Sequence, residues 1–341
     1  MAHDITRRGF NRVVLTSGAL VAAPAILKRP AWAAEYQLKY ANNQPLTHPM
    51  NKRAKEAVER IKEQSSGRIE IQIFPNNQLG GDTDMLSQVR SGAIDFFTTS
   101  GLIVQTIIPV AGANGIGFAF PEYDLVWKAM DGEFGGHIRQ AMTKANLLAM
   151  DRIWDNGFRQ MTSSMKPIQT PADLSGQKIR IPVMPLMTSM METFGAAPTS
   201  INIKEAYSAL QTKLVDGQEN PLSIIDNWKF YEVQKFCSMT NHMWDGFWMI
   251  ANKRGWDRMP KDIQEVIASN WNDAALKQRA DVRELNNSLQ GELEKRGMVF
   301  NKADAGPFQA KLRDGGFYAK WKKEFGEDAW ALLERYTGKL A

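Results

Sequence analysis

Between Tyr36 and Thr98 the chain switches repeatedly between a two-residue and a helical hydrophobic period, and no other feature limits the fold as much. Tyr36 to Ala41 alternates, as a half-buried strand does. From about His48 to Gln64, Met50, Ala54, Ala57, Val58 and Ile61 make an apolar helical stripe. Arg68 to Phe74 alternates again. Gly80-Gly81-Asp82 then opens a second helix, with Asp82 the expected N-cap before Met85, Leu86 and Val89. Gly92 ends it, and Ala93 to Thr98 reads as a third strand. This β-α-β-α-β order predicts a parallel α/β sheet with right-handed crossovers. Ligand sites in such sheets lie beyond the carboxyl ends of the strands. Those ends carry Asn42 and Asn43, Asn76 and Asn77, and Thr99 and Ser100. Polar residues populate loops for turn reasons alone, so these positions by themselves assign nothing.

The pattern continues downstream. Helices are expected over Pro121–Gly132 and Phe134–Ala145, and strands over Leu147–Trp154 and Gly157–Ser163, the second containing Arg159. Met184 to Phe194 reads as a methionine-rich helix stopped by Gly195, and adaptable packing explains such a run better than a binding surface. Ile203–Thr212 reads as a helix and Leu214-Val215 as a brief strand, with strands again at Phe236–Thr240 and Gly246–Asn252. A helical region from Lys261 to Arg296 exceeds ordinary domain helices and suits an element lying across two lobes. The remainder is aromatic-rich amphipathic helix. The expected architecture is two α/β lobes with several crossovers: residues 34–157 with about 246–285, and 158–245 with about 286–341.

One stretch, Asp173 to Pro221, promises a site. Lys178-Ile179-Arg180-Ile181 alternates after a Ser175-Gly176 turn, and Pro182 ends the strand because it cannot donate to a ladder. Arg180 therefore stands near a strand end, where a guanidinium is a natural fork for a carboxylate. Spacing alone leaves equally open that it is one more surface arginine.

Residues 1–33 read as an export leader. They hold the twin-arginine pattern Thr6-Arg7-Arg8-Gly9-Phe10, an apolar run Val13–Leu27 too short for a membrane span, and Ala31-Trp32-Ala33 before an expected cleavage. Five cations against Asp4 give this segment +4 of the chain's formal +5, leaving +1 for the rest. A near-neutral remainder lacks the basic field that nucleic acid or a membrane surface requires. Cys237 is the single cysteine, so no disulfide forms within the chain, and the four histidines show no metal-ligand spacing.

Motifs for a nucleophile, a phosphate loop, a zinc helix or a dinucleotide fold are absent from the sequence, so neither cofactor nor metal nor catalytic residue is expected. Asp82 with Asp84, and Asp216 with Glu219, pair carboxylates, but capping and turn chemistry explain both. What remains is Arg159, Arg180 and loop amides, the equipment for holding an anion without changing it.

Taken in order, Leu79-Gly80-Gly81-Asp82, Gly92-Ala93-Ile94-Asp95, Asn156-Gly157-Phe158-Arg159-Gln160, Lys166-Pro167-Ile168, Gly176 to Pro182, Glu205 to Gln211 and Asp216-Gly217-Gln218-Glu219-Asn220-Pro221 resemble the DctP-like substrate-binding proteins of tripartite ATP-independent periplasmic (TRAP) transporters. The resemblance spans the chain after the leader. It implies a two-lobed periplasmic-binding-protein-like fold that closes on a small organic acid, acts as a monomer and delivers the acid to the membrane subunits of a TRAP permease. It implies that Arg180 clamps the substrate carboxylate, that Arg159 is a second arginine of the site, and that Asn220 contacts ligand. Asn43 and Asp82 fall where sialic-acid-binding members place polar contacts. Ser100, Val183 and Ile203 stand where those members carry glutamate, asparagine and phenylalanine, which counts against sialic acid. Trp244, Asp245, Phe247 and Trp248 are candidates to shape the pocket, or equally core aromatics and a buried acid. A dicarboxylate, a sugar acid, a hydroxy or keto acid and an aromatic acid all stay open. Two rivals remain: a periplasmic enzyme using Glu219 or Asp245 as base, and a ligand-loaded partner of a sensor.

Overall fold

The computed structural model describes residues 34–340. The expected leader lies outside the described residues. The first segment is β1 (Tyr36–Asn42), α1 (Pro49–Gln64), β2 (Ile69–Phe74), α2 (Asp82–Ser91), β3 (Phe96–Ser100) and a short α3 (Gly101–Val104). Strand β1 pairs in parallel with β2 and β3, as the crossover pattern requires. His48 Nδ1 caps α1 by accepting from the Met50 amide, and Met50, Ala54, Ala57 and Ile61 are its buried stripe. β3 begins later than the residue pattern suggested. The amides of Gly92, Ala93 and Ile94 all turn back to the Gln88 carbonyl, with Gly92 at φ +85°, so these residues close α2 instead of joining the sheet.

Next come α4 (Tyr123–Asp131), α5 (Glu133–Lys144), β4 (Leu147–Ala149), β5 (Trp154–Ser163), β6 (Lys178–Ile181), α6 (Pro185–Phe194), β7 (Ala197–Ser200), α7 (Ile203–Gln211), β8 (Gly217–Asn220), α8 (Leu222–Asn227) and β9 (Phe236–Asn252). The chain ends with α9 (Lys253–Asp257), α10 (Lys261–Lys295), β10 (Val299–Lys302), α11 (Ala305–Asp314), α12 (Phe317–Phe325) and α13 (Glu327–Thr337).

The strand order is β2-β1-β3-β9-β5-β8-β6-β7, with β4 and β10 also on β9. Two parallel groups, β2-β1-β3 and β8-β6-β7, are joined through β9 and β5, which run antiparallel to β3 and β8 respectively and to each other, while β10 lies parallel to β9. The two short strands expected after Phe236 are one strand of 17 residues. The brief strand at Leu214-Val215 lies instead at Gly217–Asn220, because Lys213 takes a positive φ and the Leu214 and Val215 amides cap α7. β7 was not expected, since Ala197-Pro198-Thr199-Ser200 lacks an apolar alternation.

Helix α10 crosses two apolar clusters. Ile263, Ile267 and Trp271 pack with Tyr40, Ala54 and Phe96, whereas Leu289 and Leu293 pack with Ala206, Leu210 and Ile225. This matches the expected long bridging element. The C-terminal α12 and α13 bury Trp321, Trp330 and Leu333 in the cluster that holds Phe134 and Ile138 of α5. Among the described residues, no helix is long and apolar enough to cross a membrane.

Candidate functional site

A cavity lies at the carboxyl ends of β1 and β3, walled by β5, β9, β6 and the start of α7. Arg180 enters it from β6 with its side chain buried, 1% exposed. Its Nε and Nη2 both donate to the Ile201 carbonyl, at 2.9 and 2.6 Å. Its Nη1 has no partner, and among the described residues no carboxylate lies within ion-pair distance. Burial lowers its pKa to about 10, opposed by Glu219. The surface-arginine alternative is thereby removed.

Arg159 differs. It projects from β5 and is also buried, but each of its three nitrogens has a partner. Its Nε and Nη2 reach the two Glu219 oxygens at 2.5 and 2.7 Å, Nη1 reaches Asp245 Oδ2 at 3.1 Å, and Nη2 also donates to Asn220 Oδ1. Burial works against its charge, yet the two carboxylates outweigh that and raise its pKa. Glu219 is held low because Arg159 and His242 overcome its burial. His242, which burial keeps neutral, lies 3.3 Å from Glu219 through Nε2 and 2.8 Å from the Thr240 hydroxyl through Nδ1. The second arginine is thus a neutralised one, not a second free cation.

A β-bulge shapes the floor. Asp155 pairs with Gly246 and Gly157 with Asp245, so Asn156 is an extra residue against β9. Gly157 carries the bulge at φ +119°, and a Cβ there would meet Asn286 Nδ2 at 2.9 Å. The bulge turns Asn156 toward the cavity, where Nδ2 donates to Asp245 Oδ2 at 2.8 Å. Ser100 Oγ donates to the other Asp245 oxygen at 2.7 Å. Burial still raises the Asp245 pKa against Arg159 and these donors.

Asp82 is not the N-cap of α2. Gly81 occupies that position, and Asp84 accepts from the Gly81 amide at 2.9 Å. Asp82 is therefore free to face the cavity, accepting only from Asn43 Nδ2 at 2.9 Å. Gln44 Nε2 in turn donates to Asn43 Oδ1 at 2.7 Å. Burial raises the Asp82 pKa to about 6, against Asn43 and Arg180.

The structure gathers Arg180, Arg159, Asn220, Asn43, Asp82 and Asp245 around one cavity, with Phe247, Ser100 and Ile203. Trp244 is the correction. It alternates with Asp245 along β9, so its indole faces the other side, donating to Asp155 Oδ1 at 2.9 Å and packing on Trp127 and Phe120. Trp248 is likewise core, and Val183 does not line the cavity. Gln44, Ile103, Asn156, Met184 and Ile224 line it without having been singled out. Gln44 follows the polar β1 end, a weak signal, whereas Asn156 becomes legible only once the bulge is known.

A family model, DctP, described as bacterial extracellular solute-binding protein, family 7, matches residues 40–322. The 2,3-diketo-L-gulonate-binding periplasmic protein YiaO of Escherichia coli is 30% identical over 79% of this chain and 82% of its own length. An uncharacterized Sinorhizobium fredii protein, y4mM, is 34% identical over 79% of this chain, and the chain spans about half its length, 49%. A TRAP periplasmic solute binding protein from Polaromonas, solved with D-erythronate, superposes with a TM-score of 0.84 at 30% identity, covering 89% of this chain and 100% of that one. One from Sulfurospirillum deleyianum, solved with succinate, gives 0.83 at 28% identity over 90% and 99%.

Proposed function

The chain belongs to the family-7 bacterial extracellular solute-binding proteins, and from that premise we propose that it captures a small organic acid and hands it to the membrane subunits of a TRAP permease, without chemical turnover. The observation that carries this reading is Arg180. A guanidinium buried with one unpartnered Nη1 and no ion-paired acid is a destabilised group until an anion arrives. A ligand carboxylate supplies that anion through a charge-assisted hydrogen bond.

The surrounding acids support binding over catalysis. Glu219 is occupied by Arg159 and His242, and Asp245 by Ser100, Asn156 and Arg159, so neither is a free base. Asn220, Asn43 and Asp82 complete the polar wall. We divide the lobes near Gly157 and Gly246, with β5 and β9 as the crossovers. A ligand touching both sides binds the closed form better and shifts the population toward it. Residues 1–33 then act as a leader removed after Ala33 on export to the periplasm, which the amino-terminal sequence of the exported protein checks.

Arg180→Ala is expected to cost roughly 2–5 kcal/mol of ligand affinity, as for truncating one member of a buried charge pair. Arg180→Lys weakens binding too, because a point charge does not reproduce the fork. Calorimetry with the acid identified by a thermal-shift screen tests both; unchanged affinity in Arg180→Ala defeats the clamp. Recovery of altered ligand after incubation would instead favour an enzyme.

A further inference from the structure

We propose, on the premise that this cavity is the capture site, that it selects polyhydroxylated acids carrying one negative charge, and that the side-chain carbonyls of Gln44 and Asn156 read their hydroxyls. The first argument is charge. Two guanidiniums and two carboxylates, Asp82 and Asp245, line the cavity, and Arg159 is taken by Asp245 and by Glu219, which stands behind the lining. One cation is left for the ligand. A second ligand carboxylate would face Asp82 or the acids around Arg159, and like charges at such distances repel.

The second argument is hydrogen-bond direction. An ionised carboxylate only accepts, so each amide beside one must present its N–H₂. Asn156 turns Nδ2 to Asp245, which leaves Oδ1 buried without a partner. Asn43 turns Nδ2 to Asp82, so its Oδ1 takes the donor of Gln44, and Gln44 Oε1 is left unpartnered in turn. Gln44 and Asn156 are 1% and 3% exposed. Ser100 spends its hydroxyl proton on Asp245. Each amide nitrogen and the Ser100 hydroxyl thus already has a partner within the protein, whereas the Gln44 and Asn156 carbonyls have none. A buried acceptor left unmade is costly, and a ligand hydroxyl is the donor that satisfies it. A hydroxyl-free diacid supplies no donor at neutral pH. Ile103, Met184 and Ile224 line the same cavity and give the carbon chain an apolar contact.

The test uses the full chain freed of co-purified ligand and calorimetry with length-matched acids. Aldonates and uronates of four to six carbons, D-erythronate, D-gluconate and D-glucuronate among them, are compared with butyrate and hexanoate, and with succinate and adipate. At least one polyhydroxy acid is expected to bind on the order of 100-fold more tightly than both hydroxyl-free acids of its length, since two or three hydrogen bonds separate them. Gln44→Met and Asn156→Ala should each weaken that acid about tenfold while leaving the hydroxyl-free acids within a few-fold, with circular dichroism confirming the fold; Gln44→Met suffices if Asn156→Ala does not fold. A diacid or hydroxyl-free acid that binds as well as every polyhydroxy acid overturns the inference, as does a series in which no polyhydroxy acid binds. If such a diacid still requires Arg180, the capture reading stands and only this selectivity falls. If binding ignores Arg180, both fall.

Discussion

The two buried arginines of the cavity sit in opposite electrical surroundings. Arg159 is enclosed by Glu219, Asp245 and Asn220, and its five donors are nearly all placed. Arg180 leans on one backbone carbonyl and keeps an empty Nη1. Both are equally buried, so burial alone does not separate a structural arginine from a binding one. The counter-ion does. A buried charge must be paired, and where the protein withholds the partner the ligand becomes the partner.

The largest effect that could break this comparison is on stability. Arg159→Met strands Glu219 and Asp245 without their cation, and it is expected to destabilise the ligand-free protein by about 3–5 kcal/mol. Arg180→Met removes an unpaired charge and two bonds to one carbonyl, so its stability should change by less than about 1 kcal/mol, or rise, while binding is lost. Urea unfolding of both variants measures the contrast. Equal destabilisation would mean that Arg180 has an internal partner after all.

A smaller effect separates the two faces by pH. Burial lifts the Asp82 pKa from 3.8 to about 6. The native state then binds a proton more readily than the unfolded chain between roughly pH 4 and 6, so this group lowers stability as pH rises through that window and stabilises on acidification. Asp82→Asn should flatten that part of the curve and stabilise the ligand-free protein at pH 7 by about 1–3 kcal/mol. Burial also raises Asp155, to about 7, but Asp155 is present in both proteins and cancels in the difference. Parallel stability curves for parent and variant from pH 4 to 7 would show that Asp82 is not held as a costly buried acid.

Much of this was legible in the chain itself. Period and punctuation located β1, α1, β2 and α10 almost to the residue, because each has a clean apolar stripe and a chemical stop. The family resemblance pointed to Arg180, Arg159, Asn220, Asn43 and Asp82, and they line one cavity together with Asp245, which the sequence left equally open as a buried acid. Partner choice was not legible. That Glu219 neutralises Arg159 depends on β8 pairing beside β5, a contact between residues 60 apart. Trp244 was misplaced because a strand shows alternate faces, and sequence spacing does not say which face of β9 meets the cavity. Asn156 needed a bulge, which no period reports.

The smallest effect sharpens the comparison at the start of α2, where two acids stand two residues apart. Asp84 accepts from the Gly81 amide and does a capping residue's work. Asp82 accepts only from Asn43 and faces the cavity. Asp84→Ala should therefore cost about 1 kcal/mol of stability, as a lost helix cap does, and leave ligand affinity within a few-fold. Asp82→Asn should do the reverse, weakening a hydroxylated ligand while stabilising the empty protein. Thermal unfolding and calorimetry on the pair of variants read both quantities. If Asp84→Ala harms binding as much as Asp82→Asn does, then the start of α2 acts as one unit, and the division between groups the protein has satisfied and groups it has left for a ligand does not extend to this wall of the cavity.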